Sequence, residues 1–560
     1  MRMRRFFHGL VACALLAITG GGHAAQPPRP TVGVYYFPGW YRGKGDPTNQ
    51  WSEWRRCIMK TPEPRALCGF YDDSDPRLWG YYTDWMAGHG VDFIAFDWYY
   101  NAREEALNDS LANGFLGCVS RDKVRFALHW CNHPLDIWKH PLNQSREKLL
   151  EMTDYASARY FKQPNYLRIK GLPVFMIYDV DQLLAFGGFA AVKASLSEMR
   201  DHARRAGVGG LHLVAVYSRA SAGYVQLCRD LGFDSFCAYT YAGTRHPPVR
   251  WDSQNIPYDS CVASCVENVY PFLSRIGREK DLVYWPTTFS GWDDRPRAGV
   301  EKAFVTSGNT PKLFGQMFRG ALKYADPSEP FVMVEAWNEW GEGACIEPDQ
   351  RYGFGYLEQM AAALGRKPGK PRVPSAGEIA SWSVLGPQEL AAAKAIEGLP
   401  WEPKKPIYLE TGTNRLVAPA KLPLTLDLRA GGAEVQAGGG KIERRDADGL
   451  LFVSASKDPQ VYVRMPEVPI DQVKRITLVA EAGKDAAGGV PVELFFLTAL
   501  YPDSSSFCSA PLGLLTAGKL SIATSEIMGW THFGTPLTAI RIDPGEKAGA
   551  RVLLKQLVLE

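Results

Sequence analysis

Between Thr31 and Leu364 the chain repeats one pattern eight times: a short run of apolar, β-branched and aromatic residues, then a longer amphipathic stretch. The strand-like runs are Thr31–Phe37, Val91–Tyr99, Val124–Trp130, Leu172–Tyr178, Leu211–Tyr217, Ser235–Tyr241, Asp281–Thr287 and Phe331–Trp337. Helical periods fall between them, as at Pro76–Gly88, Arg103–Leu116, Ser145–Phe161 and Pro311–Tyr324, and again at Tyr352–Leu364 after the last. Runs this continuously apolar belong to strands covered on both faces, which makes the sheet parallel and puts the helices over it. Eight such units predict an α/β fold, a (β/α)8 TIM barrel. The alternative, an open doubly wound sheet, lacks the Gly-x-Gly-x-x-Gly fingerprint after the first strand.

Barrel chemistry sits at the C-terminal ends of the strands. Those ends carry Tyr36 and Trp40, then Asp97 and Trp98, then His129, Trp130 and Asn132, with Tyr241, Trp292 and Asn338 at later ones. Aromatics make up 12 % of the chain, and their rings suit flat polar ligands with apolar sides, such as sugars. Tyr36, Trp40, Trp98, Trp130, Tyr241 and Trp292 are therefore candidate stacking platforms, and Asp97, His129, Asn132 and Asn338 candidate partners for hydroxyls. One aromatic at such a place is more often core than platform, and a lone histidine is usually structural. Alternation also lets only one of each adjacent pair, such as Tyr35 and Tyr36, face the lumen. The recurrence at almost every strand end is what points to a ligand.

The most informative stretch runs from Phe331 through Glu335, Asn338, Glu339, Trp340, Gly341 and Glu342 to Gly343, with Glu347 beyond. If the eighth strand continues to Glu339, period 2 puts Glu335, Trp337 and Glu339 on one face. A turn at the glycines then brings Glu342 beside Glu339. Two carboxyls in an aromatic cleft have their pKa values pushed apart, one kept as acid and one as base or nucleophile, which is what cleaving an acetal between sugars requires. Such glutamates can also pair with arginine or cap a helix; Glu335, deeper in the strand, fits a supporting role.

Three segments together, Tyr35–Tyr41, Gly90–Tyr99 and Trp337–Pro348, resemble the glycoside hydrolase family 99-like group, which includes proteins labelled WbsX-type. The resemblance covers roughly residues 31–364. It implies a retaining (β/α)8 enzyme, as in the family's endo-α-mannosidases, acting without a metal or other cofactor. By that resemblance Glu339 is the base that deprotonates the sugar 2-hydroxyl to give a 1,2-anhydro sugar. Glu342 is then the acid on the leaving oxygen and later the base that activates water. Gly341 stands where those enzymes have a histidine, and a cysteine-containing insertion lies between Trp51 and Asp75. The implied activity is hydrolysis of a neutral poly- or oligosaccharide, with an α-mannoside-like substrate as one case. The alternatives are a non-catalytic glycan-binding protein on a barrel scaffold and a WbsX-type glycosyltransferase.

Residues 1–25 have three arginines at the start, an apolar run from Phe6 to Ile18 and small residues before Gln26, the layout of a cleaved signal peptide. The run is too short to span a bilayer, so export to the periplasm or medium is expected, without stable membrane insertion. The formal net charge of +3 equals the contribution of Arg2, Arg4 and Arg5, and the rest of the chain is balanced. It carries no global footprint for nucleic acid. Ten cysteines remain after Cys13, and the sets 57/68, 118/131, 228/237 and 261/265 predict local disulfides. The predicted domains are the barrel at 26–364, a basic Pro/Gly linker with a short helix at 365–406, and an all-β, jelly-roll-like sandwich at 407–560. The last is a candidate glycan-binding module, with simple packing as its alternative and Trp530 and Tyr501 as its platform candidates. Oligomeric state is not legible.

Overall fold

The computed structural model describes residues 29–41, 53–56, 66–101, 104–135, 142–216, 220–242, 254–397, 399, 402, 404–408, 411–483, 489–503, 508–545 and 547–560. The expected leader and Cys57 lie outside the described residues.

Nine parallel strand segments build one sheet: β1 (Thr31–Tyr36), β2 (Phe93–Asn101), β3 (Arg125–Trp130), β4 (Leu172–Ile177), β5 (His212–Val216), β6 (Ser235–Cys237), β7 (Val283–Tyr284), β8 (Thr287–Phe289) and β9 (Phe331–Glu335). β7 pairs with β6 and β8 pairs with β9, and only Trp285 and Pro286 separate these two ends of the sheet. They are the halves of one seventh strand, so the sheet closes into the (β/α)8 barrel. The Trp285 N–H donates to the Phe236 carbonyl and the Met333 N–H to that of Pro286, each at 2.9 Å, and carry the ladder across the break. Pro286 has no N–H to add. The strand also starts two residues later than expected, because Asp281 is the left-handed cap of the helix Tyr270–Lys280.

Every residue of β2 is buried, as two covered faces require. The helix Pro76–His89 shows how the outer layer is fixed. Asp75 accepts the Arg77 N–H at 2.9 Å, Pro76 opens the first turn, and Gly90 closes the last at φ 96°. Its buried row, Leu78, Trp79, Tyr82, Trp85 and Met86, recurs at helical spacing against the barrel.

Two expectations fail here. Arg103–Leu116 is not one helix: Glu104–Ala106 folds back antiparallel on Tyr99–Asn101, and Ser110–Phe115 forms a π-helix. Gly114 permits this approach, since a Cβ there would sit 2.2 Å from the Asp73 carbonyl oxygen. The 365–406 segment is more than a linker with one short helix. It forms the helices Ala376–Trp382 and Pro387–Ile396, and Trp382, Val384, Leu385 and Ala393 join the barrel's core.

The C-terminal region folds as two antiparallel sheets around a second hydrophobic core. One sheet orders Gly440–Arg445, Leu450–Ser454, Arg551–Leu559, Arg475–Ala482 and Ala517–Ala523, with Leu424–Asp427 also on Arg551–Leu559. The other orders Val435–Gly438, Gln460–Val468, Leu537–Pro544, Val490–Thr498 and Ser509–Leu515. Trp530 and Tyr501 are not surface platforms: both are buried in this core, and the Trp530 indole donates to the Ile470 carbonyl at 3.1 Å.

The expected local disulfides are not formed among the described residues. Cys68, Cys118, Cys131, Cys228, Cys237, Cys261, Cys265, Cys345 and Cys508 are buried, and none is in a disulfide with another described residue. Several face other partners: Cys237 lies 3.3 Å from the Tyr35 hydroxyl, Cys118 3.3 Å from Ser120 Oγ, and Cys261 3.7 Å from the Ala242 carbonyl.

Candidate active site

The C-terminal strand ends open into a cavity of about 470 Å³. Phe37 beyond β1, Asp97 and Tyr99 of β2, and Cys131 beyond β3 line one side. Tyr178, Tyr239, Thr240, Trp292, Arg297, Glu339 and Glu342 line the rest, together with Glu53 from the short helix Glu53–Arg56. Asp97, Trp292, Glu339 and Glu342 are the sequence candidates that reach it.

Strand alternation explains why the others do not. On β2 and β3, Asp97 and His129 face the lumen, so Trp98 and Trp130 face the helices. Trp98 stacks on Tyr100 at 4.8 Å and donates to Glu105 at 2.9 Å, and Trp130 donates to the Tyr100 carbonyl at 3.3 Å. On β1 the lumen residue is Tyr35, whose ring lies 5.1 Å from His129 and 4.9 Å from Tyr239. Tyr36 instead packs on Trp79 and Phe96 and donates to Asp73 at 3.3 Å. Trp40 is buried against Trp54 at 4.3 Å, leaving Phe37 at the cavity. Tyr241 meets the Tyr284 hydroxyl at 3.0 Å in the core.

The expected hydroxyl binders are mostly structural. Asn132 bonds Gln144 at 2.8 Å and both backbone groups of Asp179 at 2.7 Å. Asn338 accepts the Phe37 N–H at 2.9 Å and donates to its carbonyl at 3.0 Å. His129 is fully buried behind the cavity, its Nδ1 2.7 Å from Asp97 Oδ1. Tyr239 donates to the other Asp97 oxygen at 3.3 Å.

β9 ends at Glu335, so the period-2 expectation fails beyond it. Trp337 turns outward, its ring 5.3 Å from Tyr82, and does not share a face with Glu339. Asn338–Glu339 pairs antiparallel with Ala344–Cys345, and Trp340–Glu342 forms a 3-10 turn closed by Gly343 at φ 66°. That tight loop brings Glu339 and Glu342 together, as the glycines suggested.

The pair shares a cation that the sequence reading missed. Arg297 donates through Nη2 to Glu339 at 2.7 Å and through Nη1 to Glu342 at 2.6 Å, with Nε 3.5 Å from Glu53. It comes from the short helix Arg295–Ala298 beyond β8. The Asp293 N–H donates to the Glu342 carbonyl at 2.5 Å and ties that loop to the motif. Only the position of Arg297 just past the Trp292 strand end hinted at it.

Burial sets the ionisation here. It pushes Glu339 well above the ordinary carboxylate range, with Arg297 opposing and Glu342 adding to the rise. Burial lifts Glu342 to about 7, again against Arg297. Glu335 is pushed well up by burial and then by Glu342. Burial raises Asp97 against the pull of His129. Glu347 is lifted to about 8 by burial while it accepts from Tyr82 at 2.5 Å, Tyr71 at 2.8 Å and Trp340 at 2.9 Å, which pins the turn from behind. Asp97, His129 and Cys131 each offer a ligand atom within 4.8 Å of the others, although the first two are already bonded to each other.

A family model described as "Glycosyltransferase WbsX" matches residues 59–360, more than half of the chain. An uncharacterized protein, WxcX, of Xanthomonas campestris pv. campestris is 25 % identical over 373 residues, covering 60 % of this chain and 50 % of its own. The chain thus spans about half the length of the curated relatives it matches. Among solved structures, the GH99 endo-alpha-mannosidase from Bacteroides thetaiotaomicron is similar at 15 % identity and TM-score 0.43, covering 60 % of this chain and 96 % of that one. A glycoside hydrolase-like protein is similar at 18 % identity and TM-score 0.45, covering 60 % and 94 %. Since the family model runs from before β2 through the Glu339–Glu342 turn, the chain belongs to the WbsX glycosyltransferase family.

Proposed function

We propose that the cavity cleaves glycosidic bonds of a neutral poly- or oligosaccharide, with Glu339 and Glu342 as the reacting carboxyls. The observation that carries this is their placement: one guanidinium reaches both, at the edge of a cavity with aromatic walls. Glu342, the more exposed at 20 % against 3 % for Glu339, titrates near neutral pH and suits the acid that protonates the leaving oxygen. Glu339, its charged form favoured by Arg297 against the burial that raises it, is then the base: it takes the 2-hydroxyl proton as O2 closes on C1 and the leaving oxygen departs with the Glu342 proton, and in a second step water attacks C1, gives its proton to Glu342, and O2 leaves C1 with the proton returned by Glu339. Phe37, Tyr239 and Trp292 supply the apolar faces for the ring, and Asp97 an acceptor for a hydroxyl. The protein is exported in this reading, with the leader removed after Ala25.

The test is incubation of wild type, Glu339→Gln and Glu342→Gln with a panel of α- and β-linked glycans, following anomeric protons by NMR. Wild type should release reducing ends with retained configuration, and each variant should lose at least about 100-fold in rate. Intact glycans across the panel, bound equally by all three proteins, would leave a binding protein instead. A second reading, glycosyl transfer, is favoured by the description of the matching family. Adding a sugar acceptor separates it: a longer glycan in place of a free reducing end indicates transfer.

A further inference from the structure

Arg297 sits where two carboxylates meet, and the motif turn is shaped to admit it. A Cβ on Gly341 would lie 2.6 Å from Arg297 Nε and 2.7 Å from both Cζ and Nη2, so any side chain there displaces the guanidinium. The guanidinium also rests on the Phe37 ring, 5.5 Å from its centre, within the range of a cation–π contact. Its own loop is locked to the same turn. A Cβ on Gly343 would meet Asp293 Cβ at 2.7 Å, Arg295 donates to Asp293 at 2.5 Å, and the Arg297 N–H donates to the Asp294 carbonyl at 2.9 Å. Arginine is suited to this place because its planar fork gives each carboxylate its own N–H donor, which an ammonium cannot do in one fixed geometry.

We propose that Arg297 is the positioning residue of the Glu339/Glu342 pair, clasping both at a fixed separation, and that Gly341 exists in this chain to make room for it. Its meaning for catalysis rests on the glycosidase reading above; its test does not. Two carboxylates held this close in a largely buried site repel each other, and the surroundings add to this. Glu53, Asp97, Asp294 and Glu335 face the pair, and none brings positive charge. Tyr99, Cys131, Tyr178, Tyr239 and Cys345 are the other titrating groups that face it, and His133 lines the same cavity. The guanidinium offsets that field from inside the pair.

The experiment is a direct carboxyl titration by NMR of glutamate labelled with carbon-13 at the carboxyl, the two signals assigned with Glu339→Gln and Glu342→Gln. Arg297→Met should move both titrations to higher pH by about 1 or more, with far-UV circular dichroism unchanged. Arg297→Lys should recover part of that displacement. Gly341→Ala keeps the charge but evicts the guanidinium, so it should move the titrations in the same direction as Arg297→Met. Glutamates that titrate as in wild type in a folded Arg297→Met protein would overturn the proposal. If that variant does not fold, unchanged titrations in Gly341→Ala do the same. Titrations that move as stated in a protein that cleaves no glycan would leave this proposal standing and sink the glycosidase reading alone.

Discussion

Asn338 directly precedes the base candidate, and its amide bonds the backbone of Phe37 through both its oxygen and its nitrogen. The side chain therefore couples the turn after β9 to a wall of the cavity rather than meeting a sugar. Asn338→Ala leaves a buried N–H and a buried carbonyl without partners, which should cost about 1–3 kcal/mol, read as a lower urea midpoint. Asn338→Asp keeps the acceptor for the Phe37 N–H but loses the donor, and should be destabilised as well. The residue scale is also where sequence reasoning was weakest, for a physical reason. Both faces of a barrel strand are covered and apolar, so hydrophobicity does not say which of Tyr35 and Tyr36, or of Asp97 and Trp98, looks inward. Negative charge was the better guide: the candidate carboxyls Asp97, Glu339 and Glu342 reach the cavity, while the polar Asn132 and Asn338 bond the backbone and the large rings of Trp98, Trp130 and Tyr36 fill the space under the helices.

At the scale of elements, the loop beyond β8 and the turn beyond β9 behave as one unit, joined by the Asp293 N–H on the Glu342 carbonyl and by Arg297 on both glutamates. Gly343 is the joint. It holds φ 66°, and a Cβ on it would meet the Asp293 backbone nitrogen at 3.0 Å. Gly343→Ala adds backbone strain to a steric conflict and should cost more than about 1 kcal/mol. Hydrogen exchange should quicken across 291–306 and 338–345 together, with strands of the sandwich unchanged; quickening on one side only would show the two to be independent. The eight strand–helix units were legible because apolar runs and helical periods are local signals. The breaks were not, because tertiary contacts make them. The seventh strand divides at Pro286 yet still closes the barrel through its neighbours, and the π-helix at Ser110–Phe115 depends on how closely Gly114 approaches Asp73.

The described residues form two hydrophobic cores, with contacts between the two regions that include Lys280 paired with Glu526 at 3.2 Å, Arg275 donating to the Ser525 carbonyl, and Met528 packed on the barrel core. The barrel core holds buried carboxyls raised by burial: Asp73, Asp97, Glu335 and Glu339, with Glu342 at about 7 and Glu347 at about 8. Each binds its proton more tightly folded than unfolded. The stability they contribute is thus complete below the ordinary carboxylate range, near pH 4.3, and is lost as pH rises through the folded values. Each pH unit by which a proton is held tighter corresponds to about 1.4 kcal/mol. In the sandwich, burial raises Asp543 to about 6, with Arg541 opposing, so that region's dependence should flatten above neutral pH. Scanning calorimetry between about pH 5.5 and 8.5 should therefore show two transitions, with the barrel's Tm falling steadily while the sandwich's levels off. Glu347→Gln should lower the barrel Tm at the acid end, since Tyr71, Tyr82 and Trp340 all donate to that carboxyl, and should also make its fall with pH shallower. A barrel transition that holds or rises across this window would mean that these carboxyls are ionised in the folded protein, and that the cavity is wetter than its burial implies.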